Sequence, residues 1–202
     1  MLPLTKHTPK PLIKVHGKPM IETIIDALIE NGIFEIYVVV GYLKDQFMSL
    51  VLRYPQVTLI DNPYYQGANN ISSLFVARNY LEDVMIIDGD QVVSNTHIFS
   101  PYFNRSGYNC VWRDKETSEW VLTLNREEVV VKCSPEGAKK GWQLYSISRW
   151  SAEDGKRLRH LLETEFMEKN NHQIFWDTIA LLLYPENFSL GIFEMNENDV
   201  LE

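Results

Sequence analysis

The sequence predicts an α/β fold with a mainly parallel sheet, helices on both faces of the sheet and an antiparallel insertion. In the first half of the chain, segments with helical spacing alternate with short β-branched runs, which is the pattern of βαβ units. In the second half, short apolar segments are separated by polar turns, which is typical of antiparallel strands. The chain has 202 residues and is 45% hydrophobic, so it can bury the core of one domain.

Residue spacing and glycines set the element boundaries in the first half. Residues 1–19 hold four of the nine prolines and are expected to be extended and largely irregular. Apolar residues recur at helical spacing from Met20 to Ile29, and Gly32 can end that helix. The predicted helices cover residues 20–32, 43–54 and 70–81, and the predicted strands cover 36–40, 57–60 and 84–87.

The second half of the chain reads as strands followed by two helices. No internal repeat, low-complexity tract or linker divides the chain into independent domains. The predicted strands cover residues 109–112, 120–124, 129–132 and 144–150, and the predicted helices cover 152–169, which is charged and amphipathic, and 173–184, which is more apolar.

Charge and cysteine content exclude several classes of function. The formal net charge is −8, and lysines and arginines form no cluster, so a nucleic acid is excluded as a partner. Cys110 and Cys133 belong to no Cys-x-x-Cys pair and are expected to be reduced thiols. No apolar stretch reaches the length of a membrane span, and no signal-peptide pattern opens the chain. We therefore expect a cytoplasmic protein without membrane partners.

Asp88-Gly89-Asp90 is the most informative motif, because it directly follows the predicted strand at 84–87. Open α/β sheets bind ligands beyond the carboxyl ends of their strands. Two carboxylates one residue apart can hold Mg²⁺, which takes one or two protein carboxylates and completes its shell with phosphate and water. The alternative is an acidic turn in which Gly89 supplies the bend.

A string of motifs along nearly the whole chain resembles the nucleotidyltransferase superfamily, whose members join a nucleoside triphosphate to a phosphorylated small molecule. In detail the string is closest to the bacterial choline-phosphate cytidylyltransferases of the LicC type. The segments that carry the resemblance are Pro3–Leu12, Gly17–Ile21, Gly41–Phe47, Asn69–Leu74, Asp88–Asp90, Thr117–Trp120 and Phe175–Asp177.

The resemblance implies a Rossmann-like (GT-A-like) sheet and assigns roles around the nucleotide. Asp90 is expected to be the ligand of a Mg²⁺ cofactor, with Asp88 as its close support at the nucleotide. Lys10 is expected to contact the phosphates, so that Lys10 and Asp90 are the catalytic candidates; Lys18 is a second candidate for phosphate contact. Asn69 and Asn70 are both candidates for contact with the nucleotide, and we expect one of them to face it while the other caps the helix that follows.

The same resemblance places the acceptor at Glu119, Trp120, Trp176 and Asp177. Aromatic faces hold a quaternary ammonium well, and a carboxylate adds Coulombic attraction. Each tryptophan taken alone is more often part of a core. The repeated pairing of an acid with an indole favours a pocket for a cation.

The expected reaction is transfer of CMP from CTP to phosphocholine, which gives CDP-choline and pyrophosphate. Within the same class, 2-aminoethylphosphonate or a sugar phosphate could be the acceptor. A metal-dependent glycosyltransferase also carries Asp-x-Asp after a strand, but it lacks the Lys10-Pro11-Leu12 and Gly17-Lys18-Pro19 segments. The alternative outside enzymes is a non-catalytic nucleotide-binding module.

Two parts of the family pattern are expected to lie outside this sequence. The family places a strand and a Gly-rich phosphate-binding loop before the segment that opens this chain, and a second metal-binding Asp near the C-terminus. We therefore expect one nucleotidyltransferase domain over residues 1–202 that is truncated at both ends and turns over slowly. Strand edges left without a neighbour would favour a homo-oligomer.

Overall fold

The computed structural model describes residues 4–201. Among these residues, no helix is both long and apolar enough to cross a bilayer. The α-helices are α1 (Met20–Glu30), α2 (Met48–Arg53), α3 (Ile71–Val76) and α4 (Ala152–Glu163). The strands are β1 (Lys14–Val15), β2 (Lys18–Pro19), β3 (Ile36–Val40), β4 (Val57–Asp61), β5 (Val84–Ile87), β6 (Val92–Val93), β7 (Gly107–Arg113), β8 (Val121–Leu124), β9 (Val130–Ser134), β10 (Gly141–Trp150), β11 (Gly191–Glu194) and β12 (Val200–Leu201).

The centre of the fold consists of two pieces of sheet. In the first piece β3 and β4 are parallel, with Ile36 opposite Val57. The second piece has the order β11-β7-β10-β8-β9, and β5 also pairs with β10. Within it β5, β7 and β11 run in one direction and β10 runs against them, while the antiparallel β8–β9 hairpin forms the predicted insertion. The mixed α/β fold with a mainly parallel central sheet is confirmed.

Helices cover both faces of the sheet, as the alternation along β5 shows. Val84 and Ile86 pack against an apolar cluster that includes residues of α3 and α4. Met85 and Ile87 pack against a second cluster, which includes residues of α1 and α2. Because successive side chains of a strand point to opposite faces, the two clusters lie on opposite sides of the sheet.

Most predicted elements are present, but several helices are shorter than predicted. Residues 44–47 form a 3₁₀ turn before α2, and α3 ends at Val76 with a further 3₁₀ turn at Arg78–Tyr80. Residues 152–169 form α4 followed by a π-helical turn at Thr164–Glu168. Residues 1–19 are largely irregular where they are described, apart from 3₁₀ turns and the short β1–β2 hairpin.

The predicted helix at 173–184 is wrong over its first part. Helical structure begins only at Asp177, and a π-helical turn spans Ile179–Leu183. The physical reason lies in long-range hydrogen bonds. The backbone N–H of Trp176 donates to Oδ1 of Asn70 (2.9 Å), and the carbonyl of His172 accepts from the N–H of Asn69 (2.8 Å). These contacts use backbone groups that an earlier helix would need.

A cavity of about 430 Å³ lies between β3 and β5 and is lined by apolar residues of both strands, α1 and α3. Within the described chain, β3 pairs only with β4 and β5 pairs only with β10. The N–H of Ile36 bonds to Gln56 and that of Asp88 bonds to Ser146, on the sides away from the cavity. Since backbone groups alternate sides along a strand, Tyr37, Val39, Met85 and Ile87 turn theirs toward it. Self-association through these edges stays a prediction.

Candidate active site

The turn after β5 brings two of the predicted catalytic residues into contact. Nζ of Lys10 lies 2.6 Å from Oδ2 of Asp90. Lys10 begins a 3₁₀ turn at Lys10–Leu12, and the backbone N–H of Asp88 bonds to Ser146 of β10 at 3.0 Å. The side chains of Lys10 and Asp90 are 42% and 32% exposed, so the ion pair is open to a ligand. A cation therefore already sits against the carboxylate expected to bind metal.

The oxygens of Asp88 and Asp90 suit a hard divalent cation. No group of three or more His, Cys, Asp or Glu side chains within residues 4–201 could enclose a metal ion. Mg²⁺ does not require such a cage, because it usually keeps several waters and binds substrate phosphates. Two half-buried carboxylates, one of them attracting an ammonium, fit this kind of open site. Zinc or a buried structural metal does not fit this donor set.

Two residues predicted for the nucleotide, Asn70 and Asp88, and one predicted for the acceptor, Trp176, line the same cavity. Asn70, Asp88, Gly89 and Trp176 all contribute to the wall of the cavity between β3 and β5. Asn70 occupies the N-cap position of α3, but its side chain makes no capping hydrogen bond. Asn70 therefore does not cap the helix, whereas the side chain of Asn69 accepts a backbone N–H just before α3. The side-chain oxygen of Asn69 accepts from the backbone N–H of Asn70 (2.7 Å). The side-chain oxygen of Asn70 accepts from the backbone N–H of Trp176 (2.9 Å).

Asp177 is a buried carboxyl with an unusual pKa. Burial, together with the negative charge of Asp88, raises the pKa of Asp177 from 3.8 to about 8, and the nearby Tyr108 hydroxyl offsets only part of this rise. Oδ1 of Asp177 and the hydroxyl of Tyr108 each lack a hydrogen bond of normal geometry within the described residues. Without a ligand this carboxyl is therefore largely protonated at neutral pH. A bound cation would favour its charged form.

The two tryptophans occupy different environments. Trp176 is only 4% exposed, and its ring lies 6.2 Å from that of Tyr108 and 6.0 Å from that of Trp150, centroid to centroid. Trp120 is half-buried and meets Phe175 edge-on, with 6.1 Å between ring centroids. The core interpretation thus fits Trp176, whereas Trp120 keeps an accessible face. Glu119 is exposed to solvent.

Sequence reasoning missed Tyr108. This residue follows Gly107 in β7 and is one of several aromatic residues in strands, so no local pattern distinguishes it. Only the fold brings its hydroxyl beside Asp177.

Lys18, the second phosphate candidate, pairs with Asp26 of α1, so its ammonium already has a partner.

Comparison with known proteins identifies the relatives of this chain. Residues 5–164 match the family described as "MobA-like NTP transferase domain". A 2-aminoethylphosphonate cytidylyltransferase of Lancefieldella rimae is 42% identical over 182 residues, which are 89% of this chain and 74% of that protein. A choline-phosphate cytidylyltransferase of Haemophilus influenzae is 33% identical over 201 residues, which are 98% of this chain and 84% of that protein.

A solved structure extends the likeness to three dimensions. The CTP:phosphocholine cytidylyltransferase LicC of Streptococcus pneumoniae superposes with a TM-score of 0.93 at 30% sequence identity. The superposition covers 100% of this chain and 87% of that one. The family model matches most of this chain, and cytidylyltransferases are among the relatives of the chain. The chain therefore belongs to the MobA-like NTP transferase family and is a nucleotidyltransferase of the cytidylyltransferase group.

Proposed function

We propose that this chain transfers the CMP group of CTP to a small acceptor that carries both a phosphorus oxyanion and a cationic group, with release of pyrophosphate. The observation that carries the proposal is the buried Asp177 carboxyl beside Asp88, one oxygen of which makes no hydrogen bond of normal geometry within the described residues. A buried polar atom without a partner is costly unless a ligand satisfies it. A cationic acceptor is the ligand that would do so.

The chain's own residues would act by positioning and by charge. Asp88 and Asp90 would hold Mg²⁺, which supplies charge neutralisation at the phosphates. Lys10, already beside Asp90, would place a second positive charge at the phosphates. An oxygen of the acceptor attacks the α-phosphorus of CTP, the new P–O bond forms, and the bond to the bridging oxygen of pyrophosphate breaks. The attacking oxygen is already anionic, so no general base is needed.

Hydrogen-bonding capacity favours a primary ammonium as the cationic group. Oδ1 of Asp177 can accept an N–H, and the Tyr108 hydroxyl beside it also lacks a regular partner. A primary ammonium has three N–H donors, whereas a trimethylammonium group has none. The half-buried Trp120 and its neighbour Phe175 would suit either cation through their aromatic faces. We therefore propose 2-aminoethylphosphonate as the preferred acceptor and phosphocholine as the less favoured one.

A sugar phosphate acceptor and a glycosyltransferase reaction have less support. A sugar phosphate carries no cation to pair with Asp177. Membership of a nucleotidyltransferase family sets the glycosyltransferase hypothesis aside.

A panel of acceptors tests the proposed function by pyrophosphate release with CTP and Mg²⁺. We expect turnover with 2-aminoethylphosphonate, less with phosphocholine, and at least about 100-fold lower kcat/KM with ethylphosphonate, which lacks only the amine. With ethylphosphonate, the buried carboxyl of Asp177 would be left without a hydrogen-bond partner. Equal rates with and without the amine would contradict a cation pocket.

Trp120→Ala is expected to weaken binding of the cationic acceptor by about 1–2 kcal/mol, the size of a partly desolvated cation–π contact. Binding of CTP should hardly change. Calorimetry with each ligand separately measures both effects. Trp112→Ala is the matched control, because Trp112 of β7 is an accessible tryptophan that meets Trp142 of the neighbouring strand β10. Equal losses for both ligands would make Trp120 a structural residue.

A further inference from the structure

We infer that Asn69 and Asn70 form a clamp that positions the acceptor residues Trp176 and Asp177, and that Asn69 acts in this way without contacting the nucleotide. The inference rests on the proposed function for the role of Trp176 and Asp177. Its structural basis is independent of that role. It consists of hydrogen bonds between residues about a hundred positions apart in the chain.

The segment held by the clamp is the acceptor loop, which we define as residues 170–177. The backbone N–H of Asn69 donates to the carbonyl of His172 (2.8 Å), and Nδ2 of Asn69 donates to the carbonyl of Gln173 (3.2 Å). Oδ1 of Asn70 accepts from the backbone N–H of Trp176 (2.9 Å). In return, Nε2 of Gln173 donates to the carbonyl of Gly67 (2.9 Å). The acceptor loop thus both donates hydrogen bonds to, and accepts them from, the residues just before α3.

The polar atoms of the Asn69 side chain are already in use. Oδ1 accepts from the backbone N–H of Asn70 (2.7 Å), and Nδ2 holds Gln173. Its backbone carbonyl accepts from Oγ of Ser72 (2.8 Å), which ties the residue to the first turn of α3. Asn70, in contrast, lines the cavity with Asp88 and Gly89. Asn69 is therefore a positioning residue, while Asn70 links the acceptor loop to the cavity wall that Asp88 and Gly89 also form.

The far end of the acceptor loop is anchored separately, which explains why the clamp matters at Trp176. Asn171 bonds to Glu165 through its backbone N–H (2.9 Å) and through Nδ2 (2.9 Å), and the ring of His172 bonds to the carbonyl of Phe166. Glu165 is 1% exposed and lies in the π-helical turn after α4. Between these anchors the loop has neither a helix nor β-pairing. Its Trp176 end is held by packing of the buried Trp176 ring and by the hydrogen bonds of the asparagines, which fix the backbone of the loop.

Asn69→Ala tests the clamp because it removes the hydrogen bond from Nδ2 to the carbonyl of Gln173 and the hydrogen bond that Oδ1 accepts from the backbone N–H of Asn70. We expect the KM for the cationic acceptor to rise about five- to tenfold, the effect of one or two lost hydrogen bonds, while the KM for CTP stays within about twofold. Amide hydrogen exchange of residues 173–177 in the ligand-free protein should become faster. Asn69→Asp keeps the oxygen for Asn70 but turns a carboxylate oxygen toward the carbonyl of Gln173, so it should also raise the KM for the cationic acceptor.

Asn31→Ala is the matched control, since the side chain of Asn31 also bonds two backbone groups, here the carbonyls of Ala27 and Thr96, away from this loop. It should lower thermal stability comparably and leave the acceptor KM unchanged. Unaltered exchange of the acceptor loop in Asn69→Ala, or equal rises in both KM values, would overturn the clamp. A wild-type protein that turns over no cationic acceptor would instead refute the proposed function, and the exchange measurement would still decide the clamp.

Discussion

Asp90→Asn is expected to abolish Mg²⁺-dependent turnover, with kcat lower by about 10³-fold or more. The change replaces a charged oxygen ligand by a neutral amide and removes the partner of Lys10, whose Nζ lies 2.6 Å from Oδ2 of Asp90. The first effect removes the positive charge of the metal from the place where negative charge accumulates on the phosphates, and the second leaves the Lys10 ammonium without the partner that positions it. The fold should hardly change, because ion pairs this exposed contribute little to stability.

Asp26→Asn is the control for this prediction. Asp26 also pairs with a lysine, Lys18, and both side chains are 43% exposed, comparable to the pair of Lys10 and Asp90. Magnesium titrations followed by pyrophosphate release, together with thermal melts, should show lost turnover for Asp90→Asn alone and similar stability for both variants. Retention of near-normal activity by Asp90→Asn would remove Asp90 as the metal ligand.

Asp177→Asn is expected to separate function from stability. Turnover of the cationic acceptor should fall by about 10²-fold, because a charged hydrogen-bond partner of the ammonium becomes neutral. The ligand-free protein should in contrast become more stable at pH 8. In that state the wild-type carboxyl begins to ionise while it is buried beside Asp88.

The pH dependence of this gain follows from the direction of the pKa shift. The folded protein keeps the proton of Asp177 up to a pKa of about 8, whereas an unfolded Asp loses it near pH 4. The stability that comes from the protonated carboxyl is complete below about pH 4 and is lost as the pH rises through about 8. Asparagine resembles the protonated form at every pH. Thermal melts should therefore show a difference between variant and wild type that grows from pH 5 to pH 8.

Asp199→Asn supplies the control of opposite sign. Asp199 is as buried as Asp177, but it accepts hydrogen bonds from the backbone N–H of Asn196 (2.8 Å) and from Nδ2 of Asn95 (3.1 Å). Its replacement should lower stability, because a charged acceptor with satisfied partners is weakened. An Asp177→Asn variant that melts below wild type at pH 8 would show that ionisation of the buried carboxyl does not destabilise the folded protein.

Local pattern was sufficient for the elements whose residues report their own burial. The β-branched run of β3, the apolar strand β5 before Asp88 and the helical spacing of α1 each reflect a face that must be covered. The order of motifs, read as a resemblance, led to the family that the comparisons confirm. Each strand, helix or motif is recognised from a few neighbouring residues, so the sequence by itself contains these signals.

Long-range contacts decided the rest, and they concern the acceptor side of the site. The helix predicted from residue 173 starts later because Asn69 and Asn70 bond to the backbone of the acceptor loop. The parallel pairing of β11 with β7 had no counterpart in the prediction. The pKa of Asp177 depends on burial and on Asp88, and no local pattern marks Tyr108 as its neighbour. Periodicity records which side of an element is buried, but the partner of a buried polar group is set only when distant segments meet.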